Sequence, residues 1–212
     1  MIKQGILITL EGIDGSGKST LAKNLFAGLQ QKNMPVLLTK EPGGTSLGKQ
    51  IRSMVQEKTM PICAKSEFLL FAADRAQHFQ ELIIPALQQK KIVISDRMAD
   101  SSLVYQGFGR GLDVKIIQTV NDFAMDHLKP NLTFYVKVPV EVALERLKAR
   151  NLELTSFEKE DISFMQRLHL GFETIFKNKN HVITLDGQES PDILAMQATA
   201  IVEQWMSAKN RL

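Results

Sequence analysis

Cysteine occurs once in the 212 residues, at Cys63. A single thiol excludes an internal disulfide and suits a reducing compartment. Cys63 itself reads as a small buried or loop residue rather than a nucleophile. Excess charge of one sign is also missing, since 26 Lys and Arg against 23 Asp and Glu leave a formal net charge of +3. So small a surplus builds no extended surface for nucleic acid. No apolar run approaches the ~20 residues that span a bilayer, and the N-terminus has no basic stretch leading into an apolar one. The expected location is the cytoplasm, with no membrane and no nucleic acid as partner. Repeats, low-complexity tracts and linkers are absent too. What remains is 44% hydrophobic and 23% charged residues, an ordinary globular composition. Residues 1–212 are long enough for a sizeable core and are expected to form a single domain.

Against this plain background one stretch stands out. Residues 11–20 read EGIDGSGKST and follow the apolar run Ile6-Leu7-Ile8-Thr9-Leu10. They fit G-x-x-x-x-G-K-[ST] at Gly12, Gly17, Lys18 and Ser19. Average glycine and lysine usage produces this pattern in roughly one chain per hundred of this length. Context lowers that figure, because the motif should lie between a buried strand and a helix. Here Leu21, Leu25, Phe26 and Leu29 recur at helical spacing after the lysine. The glycines let successive backbone N–H groups converge on one anion, and the helix aims its positive end at the same point. The loop, taken as Gly12, Ile13, Asp14, Gly15, Ser16, Gly17, Lys18, Ser19 and Thr20, therefore reads as a nucleoside triphosphate site. Lys18 reaches the β- and γ-phosphates and the Ser19 hydroxyl joins a magnesium shell.

Five nearly continuous apolar runs predict buried strands at 6–11, 36–40, 92–96, 132–138 and 181–186. Helical patterns separate them at 18–32, 66–89, 114–127, 140–150, 161–178 and 192–209. This alternation implies an α/β fold, a parallel sheet with helices on both faces and ligands at the carboxyl ends of the strands. Those ends carry Glu41-Pro42-Gly43-Gly44-Thr45, then Asp96-Arg97, then Asp186-Gly187. Asp96 has the position of the acidic residue that helps hold magnesium in P-loop enzymes, and Arg97 can meet a second phosphate with a bidentate fork. A guanine-reading Asn-Lys-x-Asp is missing. Its nearest counterpart, Asn178-Lys179-Asn180-His181, ends in histidine and precedes a strand. That counts against a GTPase switch. A small kinase passing a γ-phosphate to a bound metabolite fits better.

EGIDGSGKST, Glu41-Pro42-Gly43-Gly44-Thr45, FAADRAQH at 71–78, Asp96-Arg97 and YQGFGRG at 105–111 together resemble the bacterial thymidylate kinases. The resemblance covers essentially the whole chain. It implies phosphoryl transfer from ATP to dTMP with magnesium, a P-loop nucleoside monophosphate kinase fold with a five-stranded parallel sheet and helices on both faces, and a homodimer. It also implies roles. Phe71 stacks on thymine and Arg75, one helical turn on, donates to the base. Ser101 and Ser102 make small polar contacts there, Tyr105 crowds the 2′ side of the sugar, and Gln106 closes the pocket. Arg97 and Arg52 attend the acceptor phosphate, with Pro42 beside them. Asp14 faces the gap between donor and acceptor and Glu41 stands opposite. Arg146 and Arg150 belong to the ATP side, with Arg150 against adenine.

The sequence departs from the family's pattern at three places. Lys40 replaces an arginine before Glu-Pro-Gly-Gly, and Met98 replaces an aromatic residue or histidine after Asp96-Arg97. The lid, about 151–160, has Ser156 where relatives carry an arginine, which leaves Arg150 and Lys159 as the basic residues at hand. The residues alone leave open another nucleoside or nucleotide kinase of this fold and a nucleotide-binding regulator.

Overall fold

A computed structural model describes residues 5–57, 61–150, 155, 157–158 and 160–209. All five expected strands form: β1 Ile6–Glu11, β2 Val36–Lys40, β3 Ile92–Asp96, β4 Leu132–Lys137 and β5 Val182–Asp186. They make one parallel sheet in the order β2-β3-β1-β4-β5. The central strand is buried along its whole length. Its polar residue Thr9 is satisfied across the ladder, hydroxyl to hydroxyl with Thr133 at 3.0 Å. Strand order reverses beside β1, since the chain builds β2 and β3 on one side and β4 and β5 on the other. The crevice beyond the carboxyl end of β1 is thus the expected ligand position.

The helices differ from expectation in instructive ways. α1 (Lys18–Gln31) agrees with the periodicity, but α2 (Ser46–Glu57) matches no pattern read from the sequence. Its buried residues Ile51 and Val55 make only a short apolar stripe, and Gly48 lowers helix propensity. The expected helix at 66–89 is α3 (Ala64–His78) and α4 (Ile84–Gln88) joined by a π-helical turn, Phe79–Ile83. Pro85 lacks the N–H that would continue the ladder, so the bonding slips by one residue there. A second unexpected element follows β3: α5 (Ala99–Ser102) runs into a π-helical stretch, Leu103–Gly109. α6 (Val114–Ala124) stops short of residue 127 because Asp126 and His127 take left-handed φ of 48° and 59°. α7 (Val140–Ala149), α8 (Ile162–Phe176) and α9 (Pro191–Lys209) complete the chain.

Apolar faces close the sheet from both sides. Leu21, Leu25 and Leu29 of α1 pack with Leu194, Ala198 and Val202 of α9 over Ile8, Leu10 and Phe134. Phe79, Ile83 and Ala86 cover Leu7 and Val93 on the opposite face, where Met98 also packs. That buried position gives Met98, 1% exposed, an apolar packing role after Arg97.

Candidate active site

One cleft of about 620 Å³ lies beyond the carboxyl ends of β1, β2 and β3, within the usual range of small-molecule sites. The loop between β1 and α1 forms its floor. Gly12, Gly15 and Gly17 take φ of 149°, 82° and 98°, values open to glycine and costly for other residues. Gly17 caps α1 with no side-chain hydrogen bond, and no acidic residue occupies the helix's first turn. The positive dipole end of α1 is therefore available to an anion. Lys18 is 5% exposed, and its Nζ donates to the Ile13 carbonyl at 3.2 Å. Burial pushes its amine down to about 8, assisted by the charge of Arg97 and opposed by Asp14. Ser16 is buried behind the loop, and Thr20 faces the cleft.

A cation position is legible beside Lys18. The Ser19 hydroxyl donates to Asp96 Oδ2 at 2.5 Å. Asp96 Oδ1 is buried and has no hydrogen-bond partner among the described residues. A hydroxyl and an unsatisfied carboxylate oxygen at a phosphate-binding loop fit magnesium, which keeps several waters and takes one or two protein oxygens plus phosphate. Among the described residues no cluster of three or more His, Cys, Asp or Glu offers a rival metal site.

Arg97 follows β3 with a φ of 73° and lines the cleft. Its NH2 donates to Asp14 Oδ1 at 2.5 Å and to the Tyr105 hydroxyl at 3.0 Å. Its NH1 reaches the Gly12 carbonyl at 3.1 Å and Ser101 Oγ at 3.0 Å. Tyr105 in turn donates to Asp14 Oδ2 at 2.7 Å, with the guanidinium over its ring at 4.8 Å. Burial would raise the Asp14 carboxyl, but Arg97 and Lys18 outweigh it and hold the group well below the ordinary carboxylate range. Asp14 is thus an ionised bridge between two cations, Arg97 and Lys18, with Lys18 Nζ at 3.7 Å. Arg52 lines the same wall and donates to the Pro42 carbonyl at 3.1 Å.

Deeper in the cleft, α3 presents Phe71 and Arg75. Arg75 is 2% exposed. Its Nε donates to Glu41 Oε2 at 2.8 Å, its NH1 to Asn121 Oδ1 at 2.6 Å and its NH2 to Ser102 Oγ at 3.1 Å. The other Glu41 oxygen meets His78 Nδ1 at 3.0 Å, and Thr39 Oγ1 lies 2.6 Å from His78 Nε2. Glu41 therefore spends both oxygens on Arg75 and His78. Gly44 is needed beside this network, because a Cβ there would approach His78 and Thr39 to 2.7 Å. Gln106 Nε2 donates to Glu67 Oε1 at 3.0 Å. The π-helical stretch at Leu103–Gly109 carries both Tyr105 and Gln106 into the cleft, which its wider turn permits.

The two arginines expected on the ATP side separate. Arg150 lines the cleft and its NH1 donates to Glu158 Oε1 at 3.2 Å. Arg146 lies behind the P-loop instead, its NH1 on the Gly187 carbonyl at 2.9 Å and the Ser16 carbonyl at 3.4 Å. Residues 151–154, Ser156 and Lys159 of the expected lid lie outside the described residues. Phe157 of that segment packs on Phe71 and Tyr105 with ring centroids 6.0 and 5.9 Å apart.

Sequence reasoning missed Asn121, His78, Glu67, Arg110, Glu11 and Phe157. Arg110 ties Glu160 to Glu67, its NH1 2.7 Å from Glu160 and its Nε 3.3 Å from Glu67. Glu11 accepts from Met98 N at 2.8 Å and Ser101 Oγ at 2.6 Å, anchoring the segment after Arg97. His78 and Arg110 fall inside motifs already singled out. Asn121, one of several polar residues on an amphipathic helix, gave no signal.

A sequence model of the family described as Thymidylate kinase matches residues 10–198. The chain belongs to the thymidylate kinase family. It is 42% identical to the thymidylate kinase of Halothermothrix orenii over 189 residues, covering 88% of this chain and 91% of that one. The thymidylate kinase of Carboxydothermus hydrogenoformans is 40% identical over 200 residues, 94% of this chain and 98% of the relative. The crystal structure of thymidylate kinase from Ehrlichia chaffeensis superposes with a TM-score of 0.76 at 35% identity, covering 94% of this chain and 98% of that chain. Membership in a thymidylate kinase family sets aside the nucleotide-binding regulator as a reading of the P-loop.

Proposed function

We propose that this chain transfers the γ-phosphoryl group of ATP to dTMP, giving ADP and dTDP. One observation carries the reading. The loop carrying Lys18 and the side chains of Phe71, Arg75 and Gln106 line the same cleft, and the paired Asp14 and Arg97 line it too. In the reaction a dTMP phosphate oxygen forms a bond to the γ-phosphorus while the bond to the ADP oxygen breaks. Positioning and neutralisation of charge dominate such transfers. Lys18 and the N-terminus of α1 hold the donor phosphates, with the backbone from Gly12 to Thr20 wrapped around them. Arg97 and Arg52 receive the acceptor phosphate, and Asp14 keeps the two cations in register. Phe71 stacks on the thymine ring and Arg75 donates to it. Ser101, Ser102 and Gln106 complete the recess, and Tyr105 fills the space a 2′-hydroxyl would need. Arg150, and Arg146 behind the loop, serve the ATP side. Ser19 and Asp96 would hold magnesium, which when bound neutralises phosphate charge.

A homodimer is part of the same reading. Ile116 and Phe123 on α6, with Leu69 on α3 and Met54 on α2, are exposed apolar side chains, Phe123 by 78%. Burying them against a second copy would remove that surface from water. We also take residues 1–212 as one kinase domain with a lid at about 151–160. A cytoplasmic location without a nucleic-acid partner suits a small-molecule kinase, and among the described residues no helix is long and apolar enough to cross a membrane. The test is ADP release with ATP, magnesium and a panel of nucleosides and monophosphates. Strong preference for dTMP over dCMP, dGMP and AMP is expected. Equal rates with dTMP and AMP would refute the base recess.

A further inference from the structure

Asn121 is 2% exposed on the inner face of α6, beside the apolar Ile117 and Ala124. Asparagine is a poor helix former, and a buried amide is costly unless its polar atoms are paired. Here both ends are paired within one small neighbourhood. Nδ2 donates to the Ala99 carbonyl at 3.3 Å, and Oδ1 accepts from Arg75 NH1 at 2.6 Å. Ala99 opens α5, whose Ser102 hydroxyl accepts from Arg75 NH2 at 3.1 Å. The guanidinium is therefore gripped on three sides. Glu41 supplies charge along the Nε edge, and α5 and α6 supply neutral acceptors at the two NH ends. A residue that only filled the gap between α3 and α6 would need no amide.

We propose that Asn121 is a positioning residue for acceptor-base selection, acting by fixing the NH1 end of Arg75. An arginine offers donors and no acceptor. It favours a pyrimidine that presents a carbonyl and opposes one that presents an amino group at the same ring position. That opposition lasts only while the guanidinium cannot turn aside. With the Asn121 acceptor gone, Glu41 still holds the Nε edge, but the NH1 end can swing away from an amino-bearing ring. Asn121 thus sets discrimination between dTMP and dCMP without touching either.

This inference rests on the reading of Arg75 as the base reader, and the experiment separates the two. The kcat/KM values for dTMP and dCMP, and the KM for ATP, are measured for the wild type, N121L, N121D and R75M. N121L should lower the dTMP-to-dCMP ratio of kcat/KM at least about fivefold, the worth of one hydrogen bond. The fall should come chiefly through a lower KM for dCMP, with the KM for ATP within about twofold of wild type. N121D keeps the acceptor oxygen and should keep most of the ratio. If circular dichroism shows N121L unfolded, N121A takes its place. A ratio within twofold of wild type in the leucine or alanine variant overturns the inference, as does an equal loss in N121D. If R75M itself leaves the ratio intact, the base reading fails.

Discussion

Replacing Glu41 by glutamine removes the charge that balances Arg75 while nearly preserving shape. The two side chains are 4% and 3% exposed and meet at 2.8 Å, and His78, fully buried, leans on the other carboxylate oxygen at 3.0 Å. Breaking a buried ion pair by changing one partner costs about 3–5 kcal/mol. The lower end applies here for two reasons. Both residues line the cleft, so water can enter, and the amide oxygen of glutamine still accepts one hydrogen bond. About 3 kcal/mol corresponds to a fall in Tm of ~6–12 °C for a chain of this size. The effect depends on pH with a definite sign. Burial would raise the Glu41 carboxyl, but Arg75 and His78 outweigh it and hold the group below its ordinary 4.5. A carboxylate depressed in the folded state stabilises above its unfolded pKa, and that stabilisation is lost as pH falls through the folded value. The gap between wild type and E41Q should therefore be full at pH 7 and close below about pH 4.5. Calorimetry or circular dichroism melts across that range test this. A fall of less than about 2 °C at pH 7 would refute the claim that this buried pair contributes to folding.

Lys18→Ala should cut turnover by orders of magnitude while leaving the melting curve near wild type, because it removes a charge aimed at the transferring phosphoryl group; near-normal turnover would end the P-loop reading. In the wild type, kcat/KM for ATP should fall as pH rises through about 8, where free Lys18 loses its proton. Phosphate monoesters, with a second pKa near ~6, are already ionised there, so a flat profile from pH 7.5 to about 9.5 would contradict the assignment. Arg150→Met should lower the single-turnover rate at least about tenfold, ~1.4 kcal/mol of barrier, and Lys159→Met should cost less. Rates within twofold of wild type in both would remove the idea of a basic residue standing in for the lid arginine. Phe123→Glu, placed on the exposed apolar face of α6, should shift the mass measured by light scattering to that of a monomer, and an unchanged dimer would move the interface elsewhere.

The sequence by itself determined the strands, the parallel sheet and the P-loop. Continuous burial of β1 demands an unbroken apolar run, and phosphate binding demands glycines and lysine at set intervals, so both leave local marks. Family motifs in the sequence mark Phe71, Arg75, Tyr105 and Gln106. The helix boundaries were less legible. A π-helical turn at Phe79–Ile83 keeps the helical apolar periodicity while shifting the hydrogen bonds by a residue, and α2 has too short an apolar stripe to announce itself. Only the tertiary structure decided how the charges pair. Arg75 draws Glu41 from 34 residues away, Ser102 from 27 and Asn121 from 46, and a buried hydrogen bond between distant helices writes no period into either one. The same holds for Arg97, whose left-handed turn, forked contacts and neighbour Asp14 come from three elements meeting at one end of the sheet. Strand and loop chemistry is local and can be read along the chain, whereas the partners of a buried charge are chosen by packing.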